Sequence, residues 1–113
     1  MTVDKQLVKG SMKTVVLQLL SKRSMHGYEI STKLKALGEG GFSVTEGTLY
    51  PLLHSLEADG FVVSSMEEGQ GKRKRKVYAI SEKGKKVLKE KKAEWIQYKN
   101  IMEELLTGSI QEA

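Results

Sequence analysis

A chain of 113 residues with no cysteine can bury one modest core, and it excludes a disulfide framework, a thiol nucleophile and a cysteine-type zinc site. Its 19 Lys and Arg against 14 Asp and Glu leave a net charge of +5, and residues 72–76, KRKRK, supply five of the positives, so the other 108 residues balance at 14 against 14. Basicity is therefore one local patch, the footprint of a surface that meets a polyanion.

From Asp4 to about Lys22, the residues Val8, Met12, Val15, Val16, Leu19 and Leu20 recur at helical spacing, which predicts one helix interrupted by Gly10 and Ser11. A glycine there costs up to about 1 kcal/mol of helix propensity relative to alanine, so Gly10 reads as a point of close helix–helix approach. Residues 22–26 form a polar connection. A second, short helix opens at Gly27 on Ile30, Leu34 and Leu37, and Gly38, Gly40 and Gly41 end it before a loop to Val44.

The stretch 45–60, TEGTLYPLLHSLEADG, carries two surfaces. Leu49, Leu52, Leu53 and Leu56 fall at i, i+3, i+4 and i+7, a core-facing stripe. The opposite face holds Gly47, Pro51, His54 and Ala58 with Tyr50 on a flank, and it carries no charge until Glu57, so it can approach a polyanion. Thr45 is read as the N-cap, its hydroxyl accepting a backbone N–H, and Gly60 as the C′ residue. Pro51 means that the helix either starts late, near Leu49, or bends at the proline. Two short helices with a Gly-bearing connection are the parts of a helix-turn-helix, although this connection exceeds the turn of about three or four residues in the tightest form.

Beyond Gly60 the period changes. Phe61 to Val63 and Val77 to Ile80 are strand-forming runs separated by EEGQGKRKRK, which predicts a β-hairpin. Five cations cannot be buried without partners, and none is nearby in sequence, so the tip is expected in water or on phosphate. Ser81 then caps a last helix from Glu82 to about Thr107. Six Lys and two Glu crowd its first part, between Glu82 and Lys92. Leu88, Trp95 and Met102 then repeat every seven residues with Tyr98 and Leu105 in the intervening positions, and Ile96, Ile101 and Leu106 widen the stripe. So much apolar surface on a terminal helix calls for a cover, and a second copy of the chain is the expected provider.

Nothing points to an enzyme. His26 and His54 lie in different helices without cysteine or a carboxylate partner, and neither a phosphate-cradling glycine loop nor a nucleophile elbow is present. No cofactor or metal is expected. No apolar run approaches the roughly 20 residues that span a bilayer, and no leader with a cleavage site is seen, so the protein is expected in the cytoplasm.

Three stretches, HGYEI at 26–30, GTLYPLLHSLEADGFV at 47–62 and RKRKVYAISEKG at 73–84, together closely resemble the PadR family of bacterial transcriptional regulators, in order and over nearly the whole chain. The single helix after the basic hairpin is similar to the family's smaller members. The resemblance implies a mainly α fold with a small β-hairpin: a winged helix-turn-helix with an extra N-terminal helix and a C-terminal dimerisation helix. Residues 1–81 would be the DNA-binding domain and 82–113 the dimerisation helix and tail.

By position, residues 45–54 would be the recognition helix, laying Thr45, Thr48, Tyr50 and His54 toward the major groove. Lys72, Arg73, Lys74, Arg75 and Lys76 would be the wing's phosphate contacts, with Arg73 and Arg75 at the family's basic pair. Tyr78 matches the second of two aromatic residues common after that pair, but Val77 stands where the first is common, and Ser55 where a basic residue is common. The longer KRKRK run is expected to make up that contact. Leu88, Trp95, Tyr98, Met102 and Leu105 would form the dimer seam. Some relatives take flat apolar or phenolic effectors against a Trp of the last helix, and Trp95 is similar to that residue of the multidrug-sensing members. The functional expectation is a homodimeric repressor on a pseudo-palindromic operator, its half-sites about one helical turn, roughly 34 Å, apart. The alternative is a small dimeric adaptor whose last helix binds a partner protein, the basic wing being incidental. RNA binding is disfavoured, because no sheet platform of exposed aromatics is present.

Overall fold

The computed structural model describes residues 4–37, 45–68 and 74–108. In chain order it holds α1 (Lys5–Lys22), β1 (Met25–His26), α2 (Gly27–Ala36), α3 (Glu46–Ala58), β2 (Val62–Glu68), β3 (Lys74–Ile80) and α4 (Glu82–Thr107). The strands form one antiparallel sheet in the order β1-β3-β2. This is the winged helix-turn-helix expected, with a helix before it and a long one after. No described helix is long and apolar enough to cross a membrane.

The core is built from one stripe of each helix. Val16, Leu17, Ile30, Leu34, Leu49 and Leu53 are fully buried, with Met12, Leu20, Leu56 and Val62 around them. On α1 the buried face includes Leu17, which lay off the expected stripe, whereas Val15 and Leu19 are only partly buried. Gly10 is not a close approach: it is exposed, and a Cβ there would meet nothing within 4 Å. The connection at 22–26 is not merely polar, since Met25 and His26 pair with Tyr78 and Val77 as a third strand. Met25 is buried there, 2 % exposed. A two-residue strand leaves no alternating pattern for a sequence to display.

Caps explain most helix ends. Asp4 accepts the Gln6 N–H at 2.8 Å and Ser81 Oγ the Gly84 N–H at 3.0 Å, so α1 and α4 begin where expected. Gly60, at φ +80°, ends the chain's turn out of α3 in a conformation that favours glycine. Thr45 departs from expectation. Its carbonyl accepts the Thr48 and Leu49 N–H groups at 3.0 Å each, but its hydroxyl caps no backbone amide and lies 3.3 Å from Thr48 Oγ1 instead. Of the two readings of Pro51, the late start is excluded: α3 begins at Glu46 and Pro51 sits inside it. The glycines at 38, 40 and 41, and Val44, lie outside the described residues.

Candidate nucleic-acid interface

Helix α3 is held by its leucine face, which leaves Thr45, Thr48, Pro51, His54 and Ser55 exposed on the outside. Two acidic residues qualify the expected absence of charge. Glu46 is exposed in the first turn, where it favours the positive end of the helix. Glu57 is half-buried and accepts from Ser64 Oγ and, at 3.2 Å, from Lys76 Nζ. Those bonds, Ser64's first and Lys76's second, hold the Glu57 carboxyl below the ordinary carboxylate range. Its charge is spent on the fold rather than presented to solvent.

Tyr50 both packs inward and lines the cleft described below. It is half-buried, and burial pushes its phenol above the ordinary tyrosine value, so it stays a neutral hydroxyl. Its ring packs so closely on Gly27 that a Cβ there would lie 2.6 Å from Tyr50 Cε1. The first residue of α2 is therefore glycine because α3 brings an aromatic ring against it.

The hairpin runs further than the apolar residues predicted, through Glu68 and from Lys74. Its register sets Glu68 opposite Lys74 and Glu67 opposite Arg75, so part of the basic strand has carboxylates as its cross-strand neighbours. Lys74 and Arg75 are exposed. Lys72 and Arg73 lie outside the described residues. Lys76 contradicts the expectation that no partner is available: it is half-buried, paired with Glu57 and set 5.3 Å from the centre of the Tyr78 ring. The partner comes from α3, which proximity in sequence does not reveal. The Glu57 bond, the largest influence, raises Lys76 above the ordinary lysine value.

These pieces meet in one cleft of about 460 Å³ between α2, α3 and β3, lined by His26, Gly27, Tyr28, Tyr50, His54, Arg75, Lys76 and Tyr78. Tyr50 and His54 from α3 and Arg75 and Lys76 from β3 thus share a surface, while Thr45 and Thr48 lie exposed at the start of α3. His26 and Tyr28 were not among the expected site residues. His26 is the N-cap of α2, its Nδ1 accepting the Glu29 N–H at 3.2 Å. The spacing of His26 and Glu29 is that of a capping box with an unusual first residue, a signal legible in HGYEI. Glu29 is in turn paired with Arg23, whose hydrogen bond holds the carboxyl below its ordinary range.

The proposed seam residues divide. Leu88 is 5 % exposed and belongs to the chain's own core. Trp95, Tyr98 and Leu105 are exposed and Met102 is half-buried, with Ile96, Ile101 and Leu106 exposed beside them. Trp95 and Ile96 also line an apolar groove of about 460 Å³ with Val15, Gln18 and Leu19 of α1, Leu37, and Lys92. In that groove Gln18 Oε1 is buried without a hydrogen-bond partner among the described residues.

The transcriptional regulator PadR-like family matches residues 16–90 of the chain. A transcriptional regulator of Mycobacterium tuberculosis is 33 % identical over 86 residues, 76 % of this chain and 77 % of that protein. Among solved structures, a PadR-like transcriptional regulator from Bacillus cereus superposes with a TM-score of 0.81 at 32 % identity, covering 90 % of this chain and 97 % of that one. PadR of Bacillus subtilis in complex with operator DNA superposes with a TM-score of 0.65 at 28 % identity, over 70 % of this chain and 45 % of that one. On its elements, their order and these matches, the chain belongs to the PadR-like family of transcriptional regulators.

Proposed function

We propose that the protein is a homodimeric repressor that binds a pseudo-palindromic duplex operator. Residues 1–81 engage DNA and residues 82–113 hold the dimer. Helix α3 enters the major groove of each half-site with Thr45, Thr48 and His54 toward base edges, while Lys72, Arg73, Lys74 and Arg75 follow the flanking backbone or minor groove. The observation that carries this reading is the shared cleft, in which α3 and the basic strand β3 form one continuous surface. The B. subtilis relative solved on operator DNA supports it. Hydroxyls and an imidazole contact base edges without the bidentate Arg–guanine or Asn–adenine pairing, so the residues do not spell an operator.

The dimer is supported by the exposed apolar stripe of α4, which runs alongside the α1 groove and offers a second copy's α4 a matching surface. The same groove suits a flat apolar effector stacked on Trp95. Its binding would release DNA by competing with that packing.

The test is a titration of the purified protein against the duplex upstream of its own gene, at two salt concentrations with random duplex as competitor. Tight, competitor-resistant binding at two chains per site is expected, with log K falling by about 0.9 per phosphate contact per decade of salt. Weak binding that vanishes with salt overturns the repressor reading. Charge reversal of Arg73 and Arg75 separates it from an adaptor, since a repressor loses DNA affinity and keeps its dimer. Trp95 is the chain's single tryptophan, so its fluorescence reports on the groove directly. Trp95→Ala removes that fluorophore and is read by sedimentation, calorimetry and DNA release instead; it is expected to weaken the dimer or the effector binding, and unchanged values of all three would exclude the effector site.

A further inference from the structure

One contact in the cleft is left unsatisfied by the fold itself. A backbone amide only donates, so His26 Nδ1, which accepts the Glu29 N–H at 3.2 Å, carries no proton. A neutral imidazole has only one acceptor nitrogen for the two donors that face it, and with Nδ1 capping α2 the ring hydrogen is assigned to Nε2. Arg75 Nη1 lies 3.3 Å from that Nε2, and a guanidinium has donors only. Two N–H groups thus stand side by side with no lone pair between them. The arrangement becomes favourable when one acceptor oxygen takes both, and an oxyanion is the strongest such acceptor for an arginine.

The surroundings fit an anion. Tyr28 is 69 % exposed, its ring stacks on His26 at 6.5 Å between centroids and 18° between planes, and it lines the same cleft. Glu57, a carboxylate close to the cleft, is occupied by Ser64 and Lys76. Arg75 forms no ion pair with a carboxylate among the described residues, and its guanidinium remains exposed.

We propose that His26 Nε2–H and Arg75 together seat one non-bridging phosphate oxygen, in the cleft that Tyr28 also lines, and that the occupant is a backbone phosphodiester of duplex DNA. The proposal rests on the DNA-binding reading above. It adds to that reading a phosphate clamp built jointly by the start of α2 and the wing, so that the wing's position is read through a residue of the helix-turn-helix. Free inorganic phosphate presents the same oxygens and is the other source that the experiment distinguishes.

His26→Asn separates the two roles of the imidazole. The Asn Oδ1 still caps α2, while the distal N–H is lost. Wild type, H26N, R75Q and the double variant are titrated by fluorescence anisotropy against one labelled duplex, with melting curves as a folding control. H26N is expected to weaken binding by about tenfold per half-site, or about 100-fold for the two chains on one operator, as for one charge-assisted hydrogen bond in each chain, and the double variant to bind no more weakly than R75Q alone, because both groups serve one oxygen. If H26N binds like wild type, or if the two losses simply multiply, the clamp is overturned while DNA binding stands. If wild type binds no duplex, the DNA reading fails. Nitrogen-15 NMR of the His26 ring in wild type and R75Q with inorganic phosphate then decides the seat. The same spectra are taken with the duplex: a shift that the duplex produces, that R75Q abolishes and that inorganic phosphate does not reproduce supports the phosphodiester seat, a shift with inorganic phosphate alone reassigns it to a free anion, and no shift with either overturns the clamp.

Discussion

Because Glu57 accepts from both Ser64 and Lys76, its carboxyl titrates below the ordinary range, and Glu29 does the same against Arg23. As pH falls, the unfolded chain takes up these protons before the folded one does. The stability the two carboxylates add is therefore complete above the ordinary carboxylate range and is lost as pH falls through it toward their folded values. Lys76 works in the opposite sense: its contribution is complete below the ordinary lysine value and disappears only as pH rises through its higher folded value. Glu57→Gln should flatten the acid limb of a plot of melting temperature against pH, with only a small loss at neutrality, since such half-exposed pairs contribute little. Thermal melts from neutral to acid pH check it, and an unchanged acid limb would show that the pair does not set it. The same substitution frees Lys76 for phosphate, so salt titrations of DNA binding should steepen by up to about 0.9 per subunit.

Between elements, the tightest fit is where α4 crosses the turn leading into β2. Gly84 is buried, and a Cβ added there would lie 2.0 Å from the Phe61 carbonyl oxygen and 2.8 Å from Ile80 Cγ1. The obstacle is backbone, which cannot swing aside. Phe61's carbonyl also accepts the Ser81 N–H at 3.1 Å, so the clash falls on the junction that starts α4. Gly84→Ala should therefore destabilise the fold by about 3 kcal/mol, the upper part of the range for overpacking. Chemical denaturation measures the loss; a stability within about 0.5 kcal/mol of wild type would disprove the tight fit. Gly60→Ala is a useful comparison, as it strains only one φ. This junction also marks the limit of what could be read from residues alone. The leucine stripe of α3, the Ser81 cap and the ends of α4 were legible, because each is a local pattern with a local cause. The β1 strand, the Glu57–Lys76 pair and the use of Gly27 and Gly84 were not, because each depends on a residue far along the chain. The cleft was half legible: His54 and the wing cations stood out by chemistry, whereas His26 stood out only as part of a motif.

At the scale of the whole molecule, shape and surface fit the proposed second copy. A compact domain of this length has a radius of gyration of about 13 Å, whereas this chain has 16.5 Å and extends 63 Å along its longest axis. The 26-residue α4 accounts for this: at 1.5 Å per residue it is about 39 Å long, and only its first turns are buried. Leu88 and Ile101 both belong to its apolar stripe, yet they do different work. Leu88, at 5 % exposure, fills the chain's own core, while Ile101, at 49 %, lies bare in the single chain. Leu88→Ala should cost about 2–5 kcal/mol of stability as a core truncation. Ile101→Glu should leave each chain folded and separate the pair, because a carboxylate at the seam would be desolvated without a partner. Sedimentation of Ile101→Glu should then give a monomer, and its operator affinity should fall by about 100-fold or more as the two half-sites lose their linkage. A dimer that persists in Ile101→Glu with DNA affinity intact would move the interface off the far half of α4 and onto the α1 groove alone.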